Sequence, residues 1–210
     1  VVVKDGNEIL PADRIFVYKK EKSYAGFANL FRYKLLLDHG NIWVDTDVIC
    51  LRPYRFDREF IIGRVLNLDP AKKGEWVNGS GVIGARPGSE FVRRCFEYAD
   101  KQDPESLVWG QTGPQLTTRI VQEMGLHNET LPEHYLGCIR ASKWYRSIHP
   151  KPHYSIALWY LFRLRGAYSL HLYNELWRKW RKDKNATYPR HTIYERLKRK
   201  YDVSSERVQM

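Results

Sequence analysis

The sequence predicts an α/β fold, and three observations carry that prediction. Short apolar strand candidates alternate with helix candidates, the helix candidates end at glycines, and one apolar strand runs into a pair of aspartates just past its end. The composition agrees: 43% of residues are hydrophobic and 14% aromatic, too apolar for a disordered chain. At 210 residues the chain is long enough for one domain with a real core and short for two, so we expect a single domain over 1–210.

Arg14–Tyr18 (RIFVY) reads as a short strand, and the following KKEKS as a turn in which Ser23 can cap what comes next. Ser23–His39 carries Tyr24, Phe27, Leu30, Phe31 and Leu35 at helical spacing, and Gly40 sits where a left-handed terminator is wanted. Asn29 and Arg32 are three apart and share a face of this helix. Asn41–Asp45 (NIWVD) is apolar almost throughout, as expected of a strand covered on both faces. Phe60–Val65 and Gly81–Ala85 are further strands. Ser89–Lys101 and Gly113–Met124 are helices, the second stopped by Gly125. Ser169–Leu172 is a brief strand, Asn174–Trp180 a helix, and Tyr194–Tyr201 a short amphipathic helix within a basic tail that starts at about 181. No apolar run approaches the roughly 18 residues of a membrane span; the nearest, Tyr154–Leu164, contains Arg163.

The net charge of +11 is uneven. Between Arg140 and Tyr201 there are sixteen Lys or Arg against three Asp or Glu. Such a surface calls for an anionic partner: a phosphate-bearing small molecule, an anionic membrane surface or a nucleic acid. Cys50, Cys95 and Cys138 are odd in number and far apart, which fits neither a disulfide framework nor a clustered metal site and favours a reducing compartment. The opening VVVKDGNEILP lacks the pattern of a secretory signal and begins without Met, so we expect a natural amino-terminal piece ahead of it. The expected location is cytoplasmic, peripheral on the cytosolic membrane face. Asn78, Asn128 and Asn185 each open an Asn-X-Ser/Thr triplet, which matters only in a secretory lumen.

The chemistry concentrates in Asp45-Thr46-Asp47. In an extended chain, residues two apart point to the same side, so both carboxylates should face one space beyond the sheet's carboxyl edge, where open α/β sheets bind ligands. Two carboxylates this close repel and are stabilised by a cation, and a hard ion such as Mn²⁺ or Mg²⁺ suits their oxygens. Such an ion would bridge the oxygens of a departing diphosphate and stabilise its charge. A D-x-D triplet also occurs by chance in many proteins, so its setting decides its meaning.

The stretch FANLFRYKLLLDHGNIWVDTDVICLRP (27–53) resembles the DXD sugar-binding region of GT-A glycosyltransferases, in particular relatives of capsular polysaccharide synthesis, α-1,4-galactosyltransferase and α-mannosyltransferase type. Further matches follow in order: Asn78 in VNGSGVIGARPG, Gly113-Pro114 in WGQTGPQLTTR, Leu131-Pro132 in ETLPEHYLGCI, and His171 in SLHLYNELWRK. The resemblance implies a Rossmann-like GT-A fold with a mixed central sheet, whose first strand-helix unit would precede this chain. It implies Asp47 as direct metal ligand, and Asp45 as its catalytic partner, touching the metal through water or holding sugar hydroxyls. It also implies His171 as a further metal ligand or diphosphate contact, which suits an imidazole beside carboxylates.

The same resemblance implies donor contacts from Asn29, Arg32, Asn78, Gln111 and Gly113. Asn29 stands where many relatives carry Asp, and Tyr173 where they carry Trp. Trp76 and Trp109 are candidates to stack on sugar rings, although aromatics more often pack inside. The implied reaction is metal-dependent transfer of a hexose, with retention of configuration, from a nucleotide diphosphate sugar (UDP-sugar favoured) to a glycan or lipid-linked hydroxyl in polysaccharide biosynthesis. Two rivals compete. A haloacid-dehalogenase-type phosphatase shares the strand-D-x-D start but needs a later acidic pair, and no Asp-Asp or Gly-Asp follows Asp47. A nucleic-acid-binding module would use the basic tail with its interleaved Trp and Tyr but leaves the D-x-D strand unexplained; no nucleic acid is expected as partner.

Overall fold

The computed structural model describes residues 2–67, 75–164 and 166–203, with side chains except at 161–164. Residues 204–210, the end of the expected basic tail, lie outside the described residues. In chain order the elements are α1 (Ala25–His39), β1 (Asn41–Val44), β2 (Val48–Cys50), β3 (Phe60–Leu66), β4 (Trp76–Ala85), α2 (Glu90–Asp100), α3 (Pro114–Glu123), α4 (Glu133–Leu136), α5 (Pro152–Leu164), β5 (Ser169–His171), α6 (Asn174–Lys179) and α7 (Ile193–Lys200). The fold is mixed α/β. It divides into two compact units: among the described residues the first holds 2–45, 55–67 and 75–132, with α1, β1, β3, β4, α2 and α3, and the second holds 46–54, 133–164 and 166–203, with β2, β5 and α4 to α7.

In the first unit the strand order is β1-β4-β3, all antiparallel, and a parallel bridge from Gly63 to Leu131 on the far edge makes the pairing mixed. The central strand β4 buries Val82, Ile83, Gly84 and Ala85 at its end. Helix α1 lays Leu30, Tyr33 and Leu36 into the core with Phe60, Ile62, Ile83, Phe91, Val92 and Leu116. The apolar stripe is therefore rotated from the one expected: Tyr24 is 60% exposed, Phe27 and Phe31 are half-buried, and the buried face runs through Gly26, Asn29, Leu30, Tyr33 and Leu36. Gly26 permits that rotation, since a Cβ there would lie 2.6 Å from the Phe16 ring. Gly40 closes the helix at φ 63°, ψ −147°, where its N–H reaches Leu36 O and a Cβ would strike Pro87.

Two expectations fail here. Arg14–Tyr18 forms no strand: Ala12–Arg14 is a 3-10 turn, and only Tyr18 bridges, to Ser23 across the KKEKS turn. With just that local partner, the β-prone residues have no sheet edge to join. β1 is not covered on both faces; it is an edge strand with half-buried residues, and its apolar character comes from Trp43 packing against Phe31.

The second unit was read less completely. Its two-stranded sheet pairs β2 with β5, Val48 opposite His171 and Cys50 opposite Ser169, and β2 has no signal beyond three apolar or small residues. Tyr154–Leu164, noted only as an apolar run, is the body of α5. Cys138, Ile139, Leu158, Ala167, Leu170, Ile193 and Leu197 form one core, and Trp144, Ile148, Trp177 and Tyr194 another. None of the helices is long and apolar enough to cross a membrane among the described residues.

Candidate metal and donor site

Asp45 follows β1, and its backbone N–H still donates to Gly81 O on β4 at 2.8 Å. The carboxylate is bound by the first unit's own groups. Arg32 Nη2 lies 3.0 Å from Oδ1, and the Trp43 indole donates to the same oxygen at 2.7 Å. Trp43 reaches it because residues two apart on a strand share a face. Arg32 is fixed in turn: its side chain is 5% exposed, donates to Ala28 O at 3.3 Å and to Ser80 O, and stacks over the Trp43 ring at 5.1 Å. The polar-x-x-Arg spacing on α1 does bring Asn29 and Arg32 to one buried face.

Asp47 leads into β2, and its carbonyl accepts from Leu172 N at 2.8 Å, which continues the β2–β5 ladder. Its carboxylate is held differently. His171 Nε2 lies 3.2 Å from Oδ1, and the Asn174 backbone N–H, at the start of α6, donates to Oδ2 at 2.8 Å. Burial alone would raise this carboxyl, yet the His171 hydrogen bond and charge and the Asn174 N–H together hold it below the usual carboxylate range. The His171 ring is set by stacking on Tyr173, 4.2 Å between centroids at 22°, and Tyr173 donates its hydroxyl to Ile139 O at 2.8 Å. Tyr173 thus supplies the ring packed on His171, and its own backbone is left-handed at φ 58°.

The strand therefore ends at Val44 and Thr46-Asp47 is a turn, not the extended run that the sequence suggested. Within the second unit Asp47 and His171 still bring a carboxylate oxygen and an imidazole nitrogen to 3.2 Å. Carboxylate oxygens suit Mn²⁺ or Mg²⁺ and an imidazole can join them, so the residue types present fit such an ion.

The other predicted donor contacts all lie in the first unit, and most already have protein partners. Asn29 is buried and donates to Thr112 Oγ1 at 3.3 Å, while Tyr33 donates to Thr112 O at 2.8 Å. Gln111 bonds Gln102 at 3.0 Å and Tyr98 at 3.3 Å, and its amide oxygen accepts from Val108 N. Gly113 precedes α3, where a Cβ would come 3.1 Å from the Asn29 amide. These groups hold the 108–113 loop onto α1. Asn78 differs. Its N–H donates to Thr118 and its carbonyl accepts from Thr117, yet its buried side-chain oxygen has no partner among the described residues. Thr117 and Thr118, which bond the Asn78 backbone, and the Asn174 N–H escaped the sequence reading, since threonines at helix starts look like ordinary capping and a backbone donor has no residue-type signature. Trp76 and Trp109 remain exposed at 48% and 41%, with Trp109 against Tyr18 at 5.5 Å.

The chain thus carries a paired-aspartate turn, with a buried arginine beside the first aspartate and a histidine beside the second. Residues 3–65 match the family described as "Glycosyltransferase sugar-binding region containing DXD motif". The chain is 25% identical over 155 residues to a human alpha-1,4-N-acetylglucosaminyltransferase, covering 69% of this chain and 41% of that protein. It is 31% identical over 117 residues to an uncharacterized glycosyltransferase of Acanthamoeba polyphaga mimivirus, covering 54% of this chain and 45% of that one. Among solved structures, PaToxG glycosyltransferase aligns over 52% of this chain and 40% of its own, at 18% identity and TM-score 0.37. The chain spans less than half the length of the curated relatives it matches. Residues 3–65 thus resemble the DXD-containing sugar-binding region of glycosyltransferases.

Proposed function

We propose that the chain, acting as one domain over 1–210, is a metal-dependent glycosyltransferase that moves a hexose from a nucleotide diphosphate sugar, UDP-linked by preference, to a hydroxyl of a glycan or lipid-linked acceptor in polysaccharide synthesis. The observation that carries this reading is the Asp47–His171 pair, 3.2 Å apart, at the D-x-D motif of a region that resembles the sugar-binding region of glycosyltransferases. Asp47 and His171 would hold Mn²⁺ or Mg²⁺ directly, and Asp45 would hold it through its second oxygen or through water. A bound ion would neutralise the charge that grows on the diphosphate as the glycosidic bond breaks.

The chain's own groups do the rest. Arg32 fixes the Asp45 carboxylate, and the Asn174 N–H and the Tyr173 stack fix Asp47 and His171, so the donor set costs little reorganisation when the donor arrives. The unpartnered Asn78 oxygen is suited to accept a bond from a donor or acceptor hydroxyl. Asn29, Gln111 and Gly113 support the site by fixing the 108–113 loop, with the exposed Trp109 ring free to meet a sugar face. We expect retention through same-face attack, the leaving phosphate oxygen taking the incoming hydroxyl's proton.

The deciding experiment is a panel of nucleotide sugars hydrolysed with Mn²⁺, Mg²⁺ or chelator, on this chain and on Asp47→Ala. We expect turnover of at least one sugar, an absolute need for metal, and no turnover by the variant. Equal rates with metal and with chelator would overturn the reading.

A further inference from the structure

Helix α5 of the second unit is amphipathic in an unusual sense. Ser155 and Leu158 are buried, while Ile156, Trp159 and Tyr160 are 66%, 36% and 59% exposed. Their spacing of three and four puts them on one face. A water-facing helix gains nothing from an aliphatic and two large aromatics there, whereas Trp and Tyr are the side chains that favour the boundary between water and lipid.

The surroundings of this face are cationic. No acidic residue occurs on α5. Helix α7 packs against it, and the Arg196 guanidinium lies 5.7 Å from the Trp159 ring. α7 (IYERLKRK) has one acidic residue, Glu195, which is buried and paired with Lys198 at 3.1 Å, so its charge is satisfied internally. Arg196, Arg199 and Lys200 stay exposed beside it. At the other end of α5 the Arg146 guanidinium covers the Tyr154 ring at 5.2 Å.

We infer that this α5–α7 face seats the protein peripherally on an anionic lipid bilayer. Ile156, Trp159 and Tyr160 enter the headgroup layer, and the flanking arginines and lysines meet lipid phosphates and carboxylates. Charge complementarity selects this occupant: a nucleic acid would answer the cations but gain nothing from Ile156, and an apolar protein partner would desolvate the cations without offering them counter-charges. α5 has thirteen residues, about 20 Å of helix against a hydrocarbon core of about 30 Å, so it lies on the surface and does not span it. The inference stands independently of the transferase reading.

The test is co-sedimentation of the full chain with large vesicles of phosphatidylcholine alone, and of phosphatidylcholine with about one third phosphatidylserine. We expect the chain to pellet with the mixed vesicles and not the neutral ones, and to be released as salt shortens the screening length. Ile156→Ala with Tyr160→Ala should weaken partitioning on the order of tenfold without altering the circular dichroism spectrum, since both side chains already face water. Arg196→Glu with Lys200→Glu should lose about fivefold per removed cation at low salt. Three results would overturn the inference: no pelleting with either vesicle, equal pelleting with both, or a concentration-dependent dimer that Ile156→Ala with Tyr160→Ala abolishes, which would make a second copy the occupant.

Discussion

Asp45 and Asp47 stand one residue apart, yet the regions that receive them neutralise them by different means. Around Asp45, α1 and β1 supply a fixed cation and an indole N–H to the same oxygen. Around Asp47, β5 and the start of α6 supply an imidazole and a single backbone N–H. An arginine cannot leave its charge or ligate a metal, so the Asp45 pair is a permanent brace. A histidine can face a carboxylate in one state and share a metal with it in another. On the proposed reading the first aspartate would serve mainly as framework and the second mainly as ligand, although the sequence presents them as equals.

That asymmetry gives the largest expected effect. Asp47→Asn keeps the acceptor for Asn174 but loses the charge, and turnover of the preferred nucleotide sugar should fall on the order of a thousandfold, several kcal/mol of charge stabilisation. Its unfolding midpoint in chelator should fall, because the charge favoured by His171 and the Asn174 N–H is lost, but less than in Asp45→Asn, since the amide keeps the acceptor and no buried arginine is stranded. A midpoint that drops as far as that of Asp45→Asn would erase the distinction between brace and ligand.

His171→Ala sharpens the same contrast. Mn²⁺ affinity, followed by isothermal titration, should weaken on the order of 10–100-fold. Tyr173→Phe removes only the hydroxyl bond to Ile139, keeps the ring stack, and should move metal affinity far less. If the two variants bind Mn²⁺ alike, His171 is a ring-packing residue and not a ligand.

For Asp45→Asn the readout moves from chemistry to stability. Arg32, with a side chain 5% exposed, would lose its counter-charge while the amide keeps only a neutral acceptor. Asp45 is a quarter exposed, which softens the loss, so we expect about 1–3 kcal/mol from denaturant unfolding in chelator, between the values of surface and buried pairs. An unchanged midpoint would show that Arg32 is satisfied by Ala28 and Ser80 alone.

The same two regions differ in how much the sequence disclosed. Around Asp45 the signals are local: α1 has a periodic apolar pattern and a terminating glycine, and β1 follows at once, so helix, strand and the Asn29–Arg32 face were legible. Around Asp47 they are not. The partners of Asp47 lie more than a hundred positions away, β2 is three residues long, and the N–H of Asn174 has no sequence signature. His171 was reached only through resemblance to a family. The Arg14–Tyr18 strand failed for the complementary reason: β propensity was present, but no neighbouring strand was there to pair with it. The rotation of the buried stripe on α1 escaped because the contact that sets it, Gly26 against Phe16 and Tyr18, is steric and not periodic.

The smallest effect probes the two regions as folded bodies. Cys95 is buried in the core with α1, and Cys138 in the core of β5 and α7, while Cys50 is exposed. Burial pushes both interior thiols well above their ordinary range, so the nucleophilic thiolate is scarce at either site until its surroundings open. Mass spectrometry after brief alkylation of the native chain should therefore find Cys50 modified alone. Longer exposure then reports opening: if the two compact units unfold together, Cys95 and Cys138 label at one rate, and if each opens by itself the rates part. Added Mn²⁺ should slow Cys138 more than Cys95, because Asp47 and His171 both sit on the sheet that covers Cys138's core, whereas Asp45 is already braced by Arg32. Equal slowing of both would mean that the ion steadies Asp45 as much as Asp47, and the contrast between brace and ligand would go with it.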